Sequence, residues 1–455
     1  MRRARARRLA AAVVVAGFGL LLLAHPALVA REAIWPGVVA VVALASATLA
    51  AVSRAADRPL SAARTWLAPV AASLIYLGAM ALSVAASPTP PARLATPLAQ
   101  VALLMVGWWL GRSAPARHTL AGAAIAGGAL AGLYGLLQLA GVDVLPPPID
   151  FRDRVLSLFA NPNHFGDLCA ALLPLAAAAF VWPALAPGRR GAVPGGPSGS
   201  LARRLAATGF IYAGLLLAGS RGAFWAGGGG FLVLAAGLAT EARAGGIVLR
   251  RGPLLACLGL AVAISLCLAR VPVMRGPAGP ITVVQRLGAS SAVLDGGTRD
   301  ATLAHRLFLW RAAVEMIGED PLLGAGYGQF ATRLSEVRPA LQDHAWHAAL
   351  RPEQRRDNTP YAHNELLHLW AETGLAGLGA FLFLLACSAR RLVGCLNRPA
   401  SRPSAWALAA SLAALGLHGL VSYPLHMGVS GYIIWILLGI NFSLDESPVA
   451  ADIST

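Results

Sequence analysis

The chain has 455 residues, of which 57% are hydrophobic and only 13% charged. Soluble domains carry roughly 25% charged residues, so this composition excludes an ordinary soluble protein and points to the membrane. The formal charge of +16 would suit a nucleic-acid binder, but its distribution along the chain gives it another meaning, and no nucleic-acid partner is expected.

A spanning helix needs about 20 mainly apolar residues. Such stretches are predicted near 9–28, 34–53, 66–86, 96–111, 118–140, 166–186, 204–219, 222–240, 252–272, 365–388, 404–422 and 427–443. They are too long and too uniformly apolar for barrel strands, so the expected fold is an all-α polytopic membrane protein of about twelve transmembrane helices. The basic start and long apolar run of residues 1–30 read as an uncleaved first helix, with a cleaved signal peptide as the alternative. With the N-terminus inside, the cytoplasmic segments hold 21 arginines, from Arg2 to Arg402, against Asp57, Glu241, Asp445, Glu446 and Asp452. Since the chain has 37 basic and 21 acidic residues, 16 of each remain elsewhere, and the whole excess lies on one side of the membrane.

This topology divides the chain into N-terminal helices (1–272), a large extracytoplasmic loop (273–362), three further helices (363–443) and a cytoplasmic tail (444–455). Residues 187–203 form a flexible cytoplasmic linker by composition. The five cysteines show no paired spacing that suggests a disulfide or zinc site.

The first candidate constellation is Asn161-Pro162-Asn163-His164-Phe165, at the outer start of a helix. By itself it reads as a turn and cap, and beyond that it offers amide and imidazole donors at the membrane surface. At Ser220-Arg221-Gly222-Ala223 two helices meet with almost no outer loop. The positive-inside rule disfavours an arginine in such a place, and ionisable groups at membrane depth are functional candidates. The guanidinium fork matches phosphate oxygens, whereas the bland alternative is an arginine snorkelling to the interface. The run Gly227–Gly230 allows close helix packing or the approach of a lipid chain.

The large loop is expected to hold an amphipathic helix over 301–317, capped by Asp300 and stopped by Gly318 and Asp320-Pro321. Arg306, Trp310, Ala313 and Ile317 share one face, although Arg306 could equally pair with an acid of the same loop. The following Leu323-Gly324-Ala325-Gly326-Tyr327-Gly328 allows a tight loop with exposed amides but lacks the Lys-Ser/Thr of a P-loop. His363-Asn364-Glu365 opens the next helix, with Glu365, His368 and Glu372 as one polar stripe and His363 and Gly374 three turns apart. The histidine spacing does not fit a zincin helix, and no metal is expected. A polar helix start satisfied by the loop is the plain alternative, while a histidine here also suits activation of a hydroxyl nucleophile. The turn at His418 and Ser422-Tyr423-Pro424-Leu425-His426 reads as structural, with Tyr423 or His426 as further pocket candidates.

The segments NPNHFGDLCAALLPL, GSRGAF, HRLFLWRAAVEMIGEDPLLGAGYGQF, HNELLHLWAETGLAG and HGLVSYPLHM, in that order over residues 155–443, resemble the O-antigen ligase and O-antigen polymerase superfamily. Residues 1–154 carry no motif of that family. The resemblance implies a class C glycosyltransferase-like fold in the bacterial inner membrane, with amphipathic helices in a large periplasmic loop and the active site facing the periplasm. It implies an undecaprenyl-diphosphate-linked glycan as donor. The acceptor hydroxyl would come from lipid A-core in a ligase, from another lipid-linked repeat unit in a polymerase, or from protein. It further implies an inverting, metal-independent transfer without cofactor, in lipopolysaccharide or exopolysaccharide synthesis. Arg221, Arg306 and Arg311 would bind the donor diphosphate, and His363 would orient or deprotonate the acceptor. Asn163, His164, Trp310, Asn364, Glu365 and Tyr423 would line the pocket. A transporter, as in bicarbonate-type assignments within the superfamily, and a membrane scaffold are the competing classes. The polar groups gather at one face instead of mid-membrane, which favours the enzyme.

Overall fold

The computed structural model describes residues 64–143, 154–159, 161–185, 201–245, 247, 250–276, 279–288, 301–342, 347 and 350–444. The expected spans 9–28 and 34–53, Asp300, most of the 187–203 linker and nearly all of the tail lie outside these residues.

Within them a helix coincides with every expected span. In chain order these are α1 (Arg64–Ala85), α2 (Ala95–Gly111), α3 (Ala114–Leu139), α4 (Pro162–Leu185), α5 (Leu201–Leu217), α6 (Arg221–Arg243) and α7 (Arg251–Leu268). The two longer loop helices, α8 (Ala301–Glu319) and α9 (Phe330–Val337), precede α10 (Glu365–Leu396), α11 (Arg402–Gly419) and α12 (Gly428–Ser443). Six of the described helices are long and apolar enough to cross a membrane: α1, α3, α4, α6, α7 and α10. The protein is therefore a multi-pass membrane protein.

Helix α4 is the axis of the bundle. Apart from Asp167 its buried stretch is apolar on every side, and all its residues from Phe165 to Trp182 are buried. Helices α3, α5, α6 and α11 pack around it, while α1 lies along α10 and α2 along α12. At Gly230 a Cβ would sit 2.7 Å from the Ala410 carbonyl oxygen, so the glycine run serves close packing of α6 on α11. Helices α5 and α6 meet through Ala218–Ser220 alone, as the sequence predicts.

The 273–362 segment has a structure of its own. It opens with an antiparallel hairpin, β1 (Pro272–Gly276) and β2 (Gly279–Thr282), which the sequence reading misses. Helix α8 runs on through Gly318 to Glu319 instead of stopping at residue 317. Its end is set by Asp320-Pro321, because the residue before a proline is pushed out of helical conformation. Ala304, Phe308, Leu309, Ala312, Ala313 and Met316 form the buried stripe of α8 and pack with Phe330, Leu334 and Val337 of α9 in a second, smaller core.

That small core is tied to the bundle at a break in α10. Gly374 adopts φ 64° and ψ −170° inside the helix, so His363 and Gly374 do not lie on one continuous helical face as the sequence suggests. The opened backbone is paired by the glycine-rich loop: Leu375 and Ala376 donate to the carbonyls of Pro321 and Leu322, while Ala325 and Gly326 donate to those of Ala371 and Glu372. A Cβ on Gly374 would lie 2.1 Å from the carbonyl carbon of Leu322. Gly374→Ala therefore meets both a left-handed backbone and a backbone collision, and it is expected to destabilise by about 2 kcal/mol or more. Thermal unfolding in detergent, with limited proteolysis across 320–328, measures this; an unchanged midpoint and cleavage pattern would contradict the account.

Candidate functional site

The site is built where α10 begins. Asn364 caps the helix, its Oδ1 accepting from the amides of Leu366 and Leu367, both at 3.0 Å, while its Nδ2 donates to the Leu420 carbonyl at 3.1 Å. Immediately before it, His363 has φ 54°, a left-handed conformation for a residue with a Cβ. Such backbone costs about 1–2 kcal/mol and persists only where its surroundings enforce it. Two of those surroundings are visible. The indole Nε1 of Trp310 donates to the His363 carbonyl at 3.3 Å, and the Tyr423 ring meets the imidazole edge-on at 4.6 Å.

Around His363 the chain gathers aromatic and basic groups from distant elements. Tyr423 stacks on Tyr361 at 4.3 Å and lies edge-on to His164, 6.3 Å away. The His305 ring is 6.2 Å from that of His363. Burial, then the Arg306 guanidinium and the rings of His305, His164 and His418, hold the His363 imidazole well below its ordinary pKa of 6.5. His305 is likewise lowered, first by burial, although Asp357 opposes the shift. The His363 Nδ1 is buried and makes no hydrogen bond among the described residues. The site thus presents a neutral imidazole with an unused ring nitrogen beside a permanent cation.

Beneath this layer the acids are occupied. Glu365 accepts from the Leu425 amide at 2.5 Å and pairs with His426 Nδ1 at 2.9 Å. Burial works against charge on His426, but the Glu365 carboxylate outweighs it and raises the imidazole's pKa. Glu372 accepts from the amides of Gly328 at 2.7 Å and Phe330 at 2.9 Å, with His368 Nε2 3.5 Å away. Asp167 of α4 forms a fully buried pair with His418 of α11. Among the described residues, no three His, Cys, Asp or Glu side chains are grouped as metal ligands.

The structure brings Arg306, Trp310, His164, His363, Asn364, Glu365 and Tyr423 into one neighbourhood. Asn163 continues the cap of α4, its amide donating to Asn161 Oδ1 at 2.8 Å, so the turn-and-cap reading accounts for that asparagine pair. Arg221 is buried at the first position of α6, and the Gly222 that follows faces His418, whose Nε2 lies 2.9 Å from where a Cβ would be. Arg311 departs from expectation: it leaves α8 on a different azimuth from Arg306 and Trp310, and it pairs with Glu315 at 2.5 Å, one turn on, where both are substantially exposed. The exposed amides expected of the glycine-rich loop are also absent, because Glu372 and the broken backbone of α10 take them. Sequence reasoning missed Tyr361, His305 and Asp167. It also missed the segment after α1, where Ser87 and Thr89 lie against Gly326 and Arg93 against Gly328. The only available signal there was a polar cluster, Ser87-Pro88-Thr89-Pro90, ending an apolar run.

Compared with known families, residues 206–382 match the family model described as O-antigen ligase. That segment spans the Arg221 turn, α8, the glycine-rich loop and the first half of α10. No curated protein matches the chain.

A stability consequence follows from His363. Its folded pKa lies below 6.5, whereas in the unfolded chain it takes up a proton as pH falls through about 6.5. The folded state therefore loses stability as pH falls below about 6.5, and this group adds no pH dependence above that point. The thermal midpoint of the wild type is expected to drop more steeply between pH 7.5 and 5.5 than that of His363→Gln; parallel curves would show that His363 is not held neutral.

Proposed function

We propose, from the premise that this chain carries an O-antigen ligase family domain at residues 206–382, that it transfers a lipid-diphosphate-linked glycan to an acceptor hydroxyl. The family match supports a membrane glycan transferase of ligase or polymerase type, and nothing in it favours a transporter. The finer reading is that the donor is undecaprenyl-diphosphate-linked, that the membrane is the bacterial inner membrane, and that the 273–362 segment and the site face the periplasm. The acceptor is lipid A-core or another hydroxyl-bearing glycan.

The observation that carries this reading is the buried His363 Nδ1 that makes no hydrogen bond among the described residues, in a ring that feels the Arg306 charge, both residues lying within the matched segment. On this reading Arg221 and Arg306 hold the donor diphosphate, and their charge stabilises it as it departs. The acceptor oxygen attacks the anomeric carbon on the face opposite the diphosphate. The new C–O bond forms as the bond to the phosphate oxygen breaks, the lipid diphosphate leaves with the electron pair, and the configuration inverts. The acceptor proton passes to the free nitrogen of His363. A lone imidazole of lowered pKa is a weak base, but the bound diphosphate counters the Arg306 charge and raises its basicity. A metal is not demanded by this scheme, because a lipid diphosphate is already a good leaving group.

Arg221→Ala, Arg306→Ala and His363→Ala are each expected to abolish glycan transfer while protein levels persist. Arg221→Lys is expected to remain poor, because a point charge replaces a bidentate fork. Surface polysaccharide profiles of a deletion strain carrying each variant provide the readout. Normal profiles in all of the alanine variants would overturn the site assignment. Loss of all capped chains in the deletion strain identifies a ligase, and single-repeat chains a polymerase.

A further inference from the structure

Each transfer of the kind proposed leaves a proton on the His363 imidazole, at a buried nitrogen and under the influence of the Arg306 charge. The ring must lose that proton before it can act again. Two residues of the large loop lead from it to the surface. The His305 ring lies 6.2 Å from that of His363, centre to centre, a gap that one water spans. His305 Nε2 in turn lies 3.7 Å from Asp357 Oδ2, an ion-pair separation too long for a hydrogen bond. Like His363 Nδ1, this Nε2 is buried and makes no hydrogen bond among the described residues. The His305 side chain is 13% exposed and that of Asp357 46%, so the line of groups ends on a carboxylate in contact with water.

The loop holds this line in place. His305 precedes Arg306 on α8. Arg338, immediately after α9, donates through Nη1 to the Arg355 carbonyl at 2.6 Å, and through Nη2 to the Asp357 carbonyl and to Asn358 Oδ1 at 3.2 Å. Its guanidinium also lies 5.1 Å from the centre of the Phe308 ring, one turn along α8 from His305. The 355–358 segment is thereby clamped to α8, with Asp357 beside His305. The surrounding charges give the line a direction. At His363, burial, Arg306 and the rings of His305, His164 and His418 all oppose a positive charge. At His305, burial opposes it first, joined by Arg338 and Arg306, but the Asp357 carboxylate supports it. The field therefore draws a proton from His363 toward Asp357.

We propose that His305 and Asp357 carry the acceptor's proton from His363 to water. This rests on the reading that His363 takes that proton, and it extends the reading to the step that resets the base. The lipid diphosphate has left with its electron pair, and His363 is an imidazolium. It passes a proton through one water to the neutral His305 ring. His305 releases a proton from Nε2 to the Asp357 carboxylate, which gives it up to solvent. One proton reaches water for each glycosidic bond formed, and all three groups return to their starting charge. His305 and Asp357 touch neither donor nor acceptor in this scheme and act only through His363.

The test follows product formation by the purified full chain in liposomes made from detergent-extracted membranes of the deletion strain, which hold the strain's own donor and acceptor. His305→Ala and Asp357→Asn are each expected to lower the steady-state rate about ten- to a hundredfold, up to the low end of what a positioned proton-transfer group contributes. Asp357→Asn, at an exposed position, is expected to keep the thermal midpoint. Imidazole added at constant pH and ionic strength is expected to restore most of the rate of His305→Ala and to leave the wild type unchanged. A loss that imidazole does not relieve, or a lowered midpoint in Asp357→Asn, shows that the pair merely holds the loop to α8, and the inference falls. It falls equally if either variant keeps the wild-type rate. Absence of transfer by the wild type overturns the proposed function itself, whereas wild-type transfer with unchanged variants overturns only the relay.

Discussion

The break in α10 at Gly374 is the constraint on which the site depends. A helix interrupted inside an apolar bundle leaves amides and carbonyls without partners, and each such group left unpaired in lipid costs several kcal/mol. Here the glycine-rich loop supplies the missing partners from Pro321, Leu322, Ala325 and Gly326. Glu372, two residues before the break, closes the arrangement by accepting from Gly328 and Phe330. Hydrogen bonds of this kind contribute about 0.5–1.5 kcal/mol each. The loop is thereby fastened to the bundle at a fixed register. Since α8 leads directly into that loop, the same fastening fixes where Trp310 and Arg306 come to rest relative to His363.

The electrostatics of the site follow from how the acids are used. Glu365, Glu372 and Asp167 are all buried, and each is committed to a structural partner: His426 and Leu425, two loop amides, and His418. Arg221 stands at the start of α6, while these carboxyl groups are packed inside the fold. Burial and the Arg306 charge hold the His363 imidazole below its ordinary pKa. An anionic ligand is the species such a field favours, and its arrival changes the proton affinity of the very group that would serve as base.

Much of this was legible in the sequence because the membrane imposes strong rules. Apolar length alone locates the helices, and the period of 3.6 places Glu365, His368 and Glu372 on one inward stripe, where all three are buried. The polar helix start at His363-Asn364-Glu365 was legible, and Asn364 serves there as the cap. What the sequence hid was partner choice. A glycine-rich loop advertises amides, but only the fold reveals that Glu372 and the broken helix consume them. Arg311 and Arg306 differ little in local context, yet Arg311 pairs with Glu315 on the exposed side, while the charge of Arg306 is felt at His363. The hairpin at 272–282 escaped because two short strands rich in Pro and Gly give no clear alternation. The contacts of Ser87, Thr89 and Arg93 with the loop join residues more than two hundred positions apart, which no local pattern encodes.

The placement of the site at the helix ends also answers a physical problem that a lipid-linked substrate poses. Its tail must stay in hydrocarbon while its headgroup reacts in water, so a workable site needs an apolar, lipid-accessible wall directly below a cationic rim. Helix α6 supplies both within a few turns: Arg221 is buried at its start, and Trp225 and Leu232 below it are 61% and 74% exposed. In a soluble protein such exposure would mark a docking surface for another chain. In a bundle of this composition, lipid covers it. On the proposed reading, a tail lying along that wall delivers its diphosphate to the α5–α6 turn without leaving the bilayer, and the protein need enclose only the headgroup. On the same reading, the large loop, pinned at Gly374, has the remaining task of bringing His363 and an acceptor over a donor that the membrane itself has already aligned.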